Sequence, residues 1–246
     1  MSIVTKFNKL YAAFRKGGIR NTISLIKKRL GVSPKIKRGN SRSVYHEGKR
    51  IDSEKRWHTI ASYLEPTDKS AIDIGCASGY FTAQLARSGM FSIGIDIDRA
   101  RLDDANKLFG RKTRLAFMEY HLSPETIDYL PTFDVALLLT VYHHWTNNYG
   151  RIQAENMLRV IAARTNKIFF EVPGAGCIEK PENLERWPVA ERLKVENESI
   201  NDYYTWILNE IFLNDVKVEY LGEFPYMSSS QRKDSMFLIR CGNYRI

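Results

Sequence analysis

The sequence predicts a doubly wound α/β domain, and three observations carry that expectation. Short β-type runs alternate with helical stretches of about 10–15 residues, the signature of βαβ units around a parallel sheet. An apolar strand enters a small-residue turn and then a helix across Ala71–Phe81, a geometry that brings backbone close to a ligand. The chain closes with two more apolar runs, Val216–Leu221 and Ser235–Cys241, which would form a hairpin and set an antiparallel strand beside the parallel ones.

The elements follow in order. Asp52-Ser53-Glu54 opens a helix that runs to about Leu64, and a turn containing Pro66 ends it. Strands are expected at Ala71–Gly75, Phe91–Asp96, Arg114–Glu119, Phe133–Leu139 and Lys167–Val172. Helices are expected at Thr82–Ser88, Arg99–Leu108, Arg151–Ala163 and Ile200–Leu213, with an irregular stretch over 174–199. Ahead of all this lies a different kind of segment. Ile3, Phe7, Leu10, Tyr11 and Phe14 recur at helical spacing with Lys6, Lys9, Arg15 and Lys16 off the stripe. Gly17-Gly18 interrupts the pattern, Ile19, Ile23, Ile26 and Leu30 resume it, and a basic linker follows Gly31. The expected organisation is therefore a basic amphipathic helical arm and linker over 1–44 and an α/β domain over 45–246.

Charge sharpens this division. The net charge of the 246 residues is +9, yet residues 1–50 contain 14 Lys or Arg against one acid, Glu47. The remaining 196 residues hold 23 basic and 27 acidic side chains, so the α/β part is mildly acidic. The arm is thus a candidate contact for something anionic, such as a membrane surface. No apolar run approaches the roughly 18 residues of a membrane span, and the N-terminus has no continuous apolar core of a signal peptide. Cys76, Cys177 and Cys241 are too few and too scattered for a disulfide framework or a zinc site. A reducing, cytoplasmic setting is expected, with the arm reaching the inner membrane surface.

The turn after the first strand is not a pyrophosphate fingerprint, because position 77 is Ala and position 80 is Tyr where G-x-G-x-x-G needs glycine. No Gly-Lys-Ser/Thr follows, so a Walker loop is excluded too. Gly75 permits a tight turn and Gly79 lets the helix begin close to the strand. Asp96 ends the second strand, 21 residues after Gly75, where a carboxylate accepts both ribose hydroxyls of an adenosine and repels a 2′-phosphate.

Asp73-Ile74-Gly75-Cys76-Ala77-Ser78-Gly79 followed by Gly94-Ile95-Asp96 resembles the first two motifs of the class I S-adenosylmethionine-dependent methyltransferases, over roughly residues 45–242. The resemblance implies a seven-stranded Rossmann-like sheet with its last strand antiparallel, and S-adenosyl-L-methionine as cofactor. It implies that Gly75 and Gly79, with Asp73, Cys76 and Ala77, line the methionine part, that Asp96 holds the ribose, and that Ile97 packs on adenine. Glu119 or Tyr120 would border the base, and Thr140 would reach the cofactor from the end of the fourth strand. A basic residue ahead of the first strand, Arg50 in preference to Arg56, would meet the cofactor carboxylate. Ala77 replaces the usual middle glycine of the motif.

The same resemblance puts the acceptor over the ends of the fourth and fifth strands, at Leu139–Trp145 and Phe170–Pro173. His143 and His144 there are candidate general bases, with Glu171 as an orienting carboxylate and Tyr142 on the substrate side. Two adjacent histidines without Cys, Asp or Glu at ligand spacing do not make a metal site. Arg232, in the connection between the last two strands, is a candidate clamp for a substrate phosphate or carboxylate. Tyr142-His143-His144, Phe170-Glu171 and Tyr220-Leu221-Gly222-Glu223-Phe224 are also similar to bacterial enzymes that methylate surface polysaccharides. The expected acceptor is an oxygen of a sugar or sugar phosphate of a surface glycan. RNA or a small molecule is the alternative, and a non-catalytic cofactor-binding scaffold a third. Nothing in the sequence fixes the oligomeric state.

Overall fold

The computed structural model describes residues 52–110, 113–173, 200–213, 215–226, 233–242 and 244. The basic arm, Arg50 and Arg232 lie outside the described residues. Seven strands make one sheet: β1 (Ser70–Ile74), β2 (Phe91–Asp96), β3 (Leu115–Glu119), β4 (Phe133–Leu139), β5 (Thr165–Pro173), β6 (Lys217–Pro225) and β7 (Lys233–Arg240). Their order is β3-β2-β1-β4-β5-β7-β6. All neighbours from β3 to β5 pair in parallel, while β7 runs antiparallel to both β5 and β6. The expected seven-stranded sheet with a reversed last strand is the one formed.

Around the sheet lie α1 (Ser53–Ser62), α2 (Tyr80–Arg87), α3 (Arg99–Phe109), α4 (Tyr142–Tyr149), α5 (Arg151–Ala162) and α6 (Ile200–Ile211). The central strands are largely apolar because both faces are covered. Ile72, Ile74, Ala136, Leu138, Ile168 and Phe170 point to one side, into a core shared with Met157, Leu158, Ile161 and Leu208. Their strand neighbours Ala71, Val135, Leu137 and Phe169 point to the other, where Ile60, Leu85 and Met90 close over them. This period-2 division of one apolar run between two cores is what a doubly wound sheet demands.

Two elements depart from expectation. Helix α4 had no helical signal, since Tyr, His, Thr and Asn are weak helix formers. It forms because Tyr142 and Trp145, three residues apart, both bury into the core, and tertiary packing overrides propensity. Strand β6 reaches Pro225, four residues beyond the expected Leu221, because an irregularity between Tyr220 and Gly222 lets pairing with β7 resume.

The strand order reverses between β1 and β4, and the carboxyl ends of those two strands open a crevice. In open α/β sheets this switch point is where ligands bind.

Candidate active site

A cavity of about 880 Å³ occupies that crevice. Its floor is the turn after β1. The Gly75 and Cys76 amides both donate to the Ile95 carbonyl, at 2.8 and 3.0 Å, which holds the turn against the end of β2. Gly75 has φ +74, and a Cβ there would lie 2.6 Å from the Val141 side chain, so only glycine leaves the crevice open. Gly79, at φ +79, starts α2; a Cβ would strike the Phe117 ring and come within 3.0 Å of the Ala105 Cβ. Gly79 therefore serves close packing beneath the site, while Gly75, Cys76, Ala77 and Ser78 line the cavity itself. Ala77 keeps the left-handed conformation of the glycine it replaces, at φ 48.

Asp96 is buried and lines the cavity. The Ala77 N–H donates to one of its carboxylate oxygens and the Asp98 N–H to the other, both at 2.8 Å. Each oxygen has a second lone pair left for a ligand hydroxyl. The same carboxylate thus braces the turn it faces, so removing it would disturb more than ligand contacts. Ile97, 54% exposed, and Tyr120 form an apolar and aromatic wall beyond it. Glu119 is exposed beside Arg99, 3.8 Å away, and is not part of that wall; period-2 alternation turns it outward while Tyr120 faces in.

Asp73 is fully buried in the floor and accepts the Thr82 hydroxyl at 2.6 Å. Burial pushes its carboxyl up to about 6, against the lowering effect of the Thr82 hydrogen bond. Burial likewise pushes the Cys76 thiol well above its ordinary range, which keeps it a neutral packing group.

At the opposite end stands Arg56, on α1. It is buried, lines the cavity, lies 4.7 Å over the Phe81 ring and forms an ion pair with Glu171. Arg56, the second choice from sequence, lines the cavity, while Arg50 lies outside the described residues. Glu171, expected among the acceptor groups, is completely buried and engages Arg56 instead.

Thr140 ends β4 at φ 57, a strained conformation for a β-branched residue, and lines the cavity. Beyond it, Val141, His144, Trp145, Asn148 and Tyr149 put one stripe of α4 on the cavity wall. His144 is exposed there, and its ring centroid lies 3.9 Å from that of His143, which is not on the wall. Tyr142, expected on the substrate side, points into the core instead and packs edge-on against Phe170 at 5.4 Å. Its place in the stripe's period explains the difference: positions 141, 144, 145 and 148 face the cavity, and 142 faces the sheet.

Sequence reasoning missed Tyr80, His121, Asn148, Tyr149 and Tyr226, all on the cavity wall. The spacing of Trp145 and Tyr149 after His144 would have revealed two of the wall's aromatics, had a helix been recognised there.

The cradle fits an adenosyl sulfonium amino acid. It offers a turn bared by glycine, a buried carboxylate on Asp96, an apolar and aromatic wall at Ile97 and Tyr120, and a buried cation on Arg56. The fold is that of the class I S-adenosylmethionine-dependent methyltransferases, enzymes whose cofactor is S-adenosylmethionine. Residues 72–165 match the family described as a methyltransferase domain.

Two curated relatives stand out. The O-antigen chain terminator bifunctional methyltransferase/kinase WbdD of Escherichia coli is 28% identical over 111 residues, which cover 42% of this chain and 15% of that protein. The U6 snRNA methylphosphate capping enzyme Amus of Drosophila melanogaster is 29% identical over 209 residues, covering 76% of this chain and 64% of that protein. Among solved structures, the bifunctional kinase-methyltransferase WbdD superposes with a TM-score of 0.62 at 21% identity, over 90% of this chain and 46% of that one. The N-terminal domain of EvdMO1 with S-adenosylhomocysteine bound gives a TM-score of 0.52 at 14% identity, over 88% and 95%. At these identities the superpositions speak for the fold. The chain spans less than half the length of the WbdD chains it matches.

Proposed function

We propose that this protein transfers the methyl group of S-adenosylmethionine to an oxygen at the end of a surface glycan, either a sugar hydroxyl or a sugar phosphate. The observation that carries the reading is the stripe of α4 on the cavity wall. It sets an exposed imidazole, His144, and a carboxamide, Asn148, beside the aromatic rings of Trp145 and Tyr149. Such a wall suits a ligand rich in hydroxyls. The names of the two relatives add support, since one is a chain terminator and the other a capping enzyme.

When bound, the cofactor supplies an electrophilic methyl group on a positively charged sulfur. The chain's own contribution is largely placement. Asp96 fixes the ribose, the 75–78 turn and Arg56 fix the amino-acid end, and α4 holds the acceptor oxygen in line with the methyl carbon. Bound there, the sulfonium would supply its methyl carbon to that oxygen and keep the bonding electron pair on sulfur. His144 takes the proton of a hydroxyl acceptor. An acceptor phosphate, already ionised at neutral pH, needs no base; Arg232, in the connection after β6, would then hold it. The basic arm is proposed to keep the enzyme at an anionic membrane surface, where a lipid-linked glycan would be met. Flotation with anionic liposomes, comparing the full chain with one starting at residue 45, tests that part.

A second reading is an RNA phosphate as acceptor, favoured by the longer alignment with the capping enzyme. Transfer of labelled methyl from S-adenosylmethionine to a bacterial lipid-linked glycan fraction, against transfer to 5′-phosphorylated RNA, separates the two. Label in the glycan, reduced at least tenfold by His144→Ala, supports a hydroxyl acceptor. Label in the glycan that is unaffected by His144→Ala points to a phosphate, and label only in RNA overturns the glycan reading.

A further inference from the structure

Helix α4 carries the acceptor wall, yet little in its own sequence holds it in place. It is eight residues long and its N-cap, Val141, supplies no side-chain cap. It is bounded by two left-handed residues, Thr140 at φ 57 and Gly150 at φ 81, each a point where the chain direction changes sharply. Tyr142 and Trp145 anchor its buried side. At its far end the Tyr149 hydroxyl meets His121 Nε2 at 2.7 Å. His121 belongs to the loop after β3 that carries Tyr120 and Leu122 on the base-side wall of the cavity. That loop is itself braced: Thr126 donates to the His121 carbonyl at 2.8 Å, and Tyr120 donates to the Thr126 carbonyl at 3.2 Å. The Tyr149–His121 bond therefore ties the far end of α4 to a braced loop that forms another part of the same cavity wall.

We propose that Tyr149 and His121 are positioning residues for methyl transfer: their hydrogen bond makes the acceptor wall of α4 follow the state of the base-side loop. A ligand that packs against Ile97, Tyr120 and His121 orders the loop, the loop holds Tyr149, and Tyr149 fixes the helix that presents His144 and Asn148. The proposal rests on the reading that S-adenosylmethionine fills this cavity. Burial, aided by Glu125, raises the Tyr149 phenol, so it keeps its proton and can donate to Nε2. That direction of the bond requires His121 to carry its own proton on Nδ1.

Amide hydrogen exchange of the full chain, with and without saturating S-adenosylhomocysteine, tests the coupling. In the wild type the ligand is expected to slow exchange over 120–126 and also over 146–150, the latter by about three- to tenfold, the usual effect of one net hydrogen bond on an opening equilibrium. Tyr149→Phe is expected to keep the slowing at 120–126 and a dissociation constant within about threefold, while the effect at 146–150 falls below about twofold. His121→Gln retains an acceptor for the phenol and is expected to restore most of the effect that His121→Leu abolishes. Undiminished protection of 146–150 in Tyr149→Phe, or equal loss in the Gln and Leu variants, would overturn the proposal. So would loss of ligand binding itself in Tyr149→Phe, which would make the residue merely structural. A wild type that shows no ligand effect anywhere would overturn the cofactor reading together with it.

Discussion

Replacing Glu171 by alanine would take from the buried Arg56 the carboxylate it pairs with. Glu171 has no exposed side-chain surface and Arg56 has 4%, so neither can turn to water without moving α1 or the end of β5. Removal of one partner from a buried ion pair costs about 3–5 kcal/mol. For a domain of this size each kcal/mol lowers the melting temperature by about 2–4 °C, so Glu171→Ala should melt roughly 6–20 °C below the wild type. The double replacement Arg56→Met with Glu171→Leu removes both charges at once. Paired apolar substitutions of this kind are often neutral or stabilising, so the double variant should melt within about 5 °C of the wild type or above it. Its affinity for S-adenosylhomocysteine should still fall, because Arg56 lines the cavity. Thermal melts and calorimetric titration of the three proteins decide the matter. A Glu171→Ala protein that melts within 2 °C of the wild type would refute the claim that this pair is a buried, mutually dependent unit. A double variant with undiminished ligand affinity would remove Arg56 from the binding site.

Three further outcomes follow from the same geometry. Gly79→Ala combines a left-handed backbone with a Cβ driven into Phe117 and should cost about 2–4 kcal/mol in urea denaturation, whereas Gly89→Ala, whose Cβ would meet only Arg114 at 3.7 Å, should cost about 1 kcal/mol; equal losses would mean that packing at 79 does not matter. Asp73 has a folded-state value of about 6, above that of the unfolded chain, so the stability of its protonated native form is present below about pH 4 and lost as pH rises to about 6, an effect of about 3 kcal/mol. Asp73→Asn, which keeps an acceptor for Thr82, should abolish that fall, and parallel stability curves for the two proteins between pH 4 and 7 would contradict it. Thr140→Gly relieves a φ of 57 on a β-branched residue and should change stability by less than about 1 kcal/mol, because the strain relieved is offset by the entropy glycine adds to the unfolded chain; a loss above about 2 kcal/mol on thermal melting would show that the hydroxyl and methyl outweigh the strain.

Much of the fold was legible because both faces of the sheet are buried. A strand such as Val135–Leu138 must then be apolar at every position, and helices must separate such strands. The turn at 75–79 was legible because the small residues it needs have no other economical reason to cluster before Asp96. What the sequence hid depends on pairs far apart in the chain. Arg56 and Glu171 are 115 positions apart, and His121 and Tyr149 are 28 apart, so neither bond leaves a local pattern. Helix α4 was hidden for a different reason: its residues are chosen for the two surfaces they face, not for helicity. Glu119 and Tyr142 were assigned to the site by the family resemblance, and the alternation of a strand and the period of a helix turned each away from it. The double duty of Asp96, bracing Ala77 and Asp98 while facing the cavity, could only be seen once the turn was folded.

That double duty also decides how the central claim is best tested. Substituting Asp96 would loosen the turn as well as the ligand, so the ligand should be changed instead. Calorimetric titration of the unaltered protein with S-adenosylhomocysteine and with its 2′,3′-dideoxyribose analogue isolates the ribose hydroxyls. A hydrogen bond to a charged group is worth about 1.5–3 kcal/mol, so two of them to Asp96 predict an analogue bound at least tenfold more weakly. Equal affinities, or no binding of S-adenosylhomocysteine at all, would contradict the account.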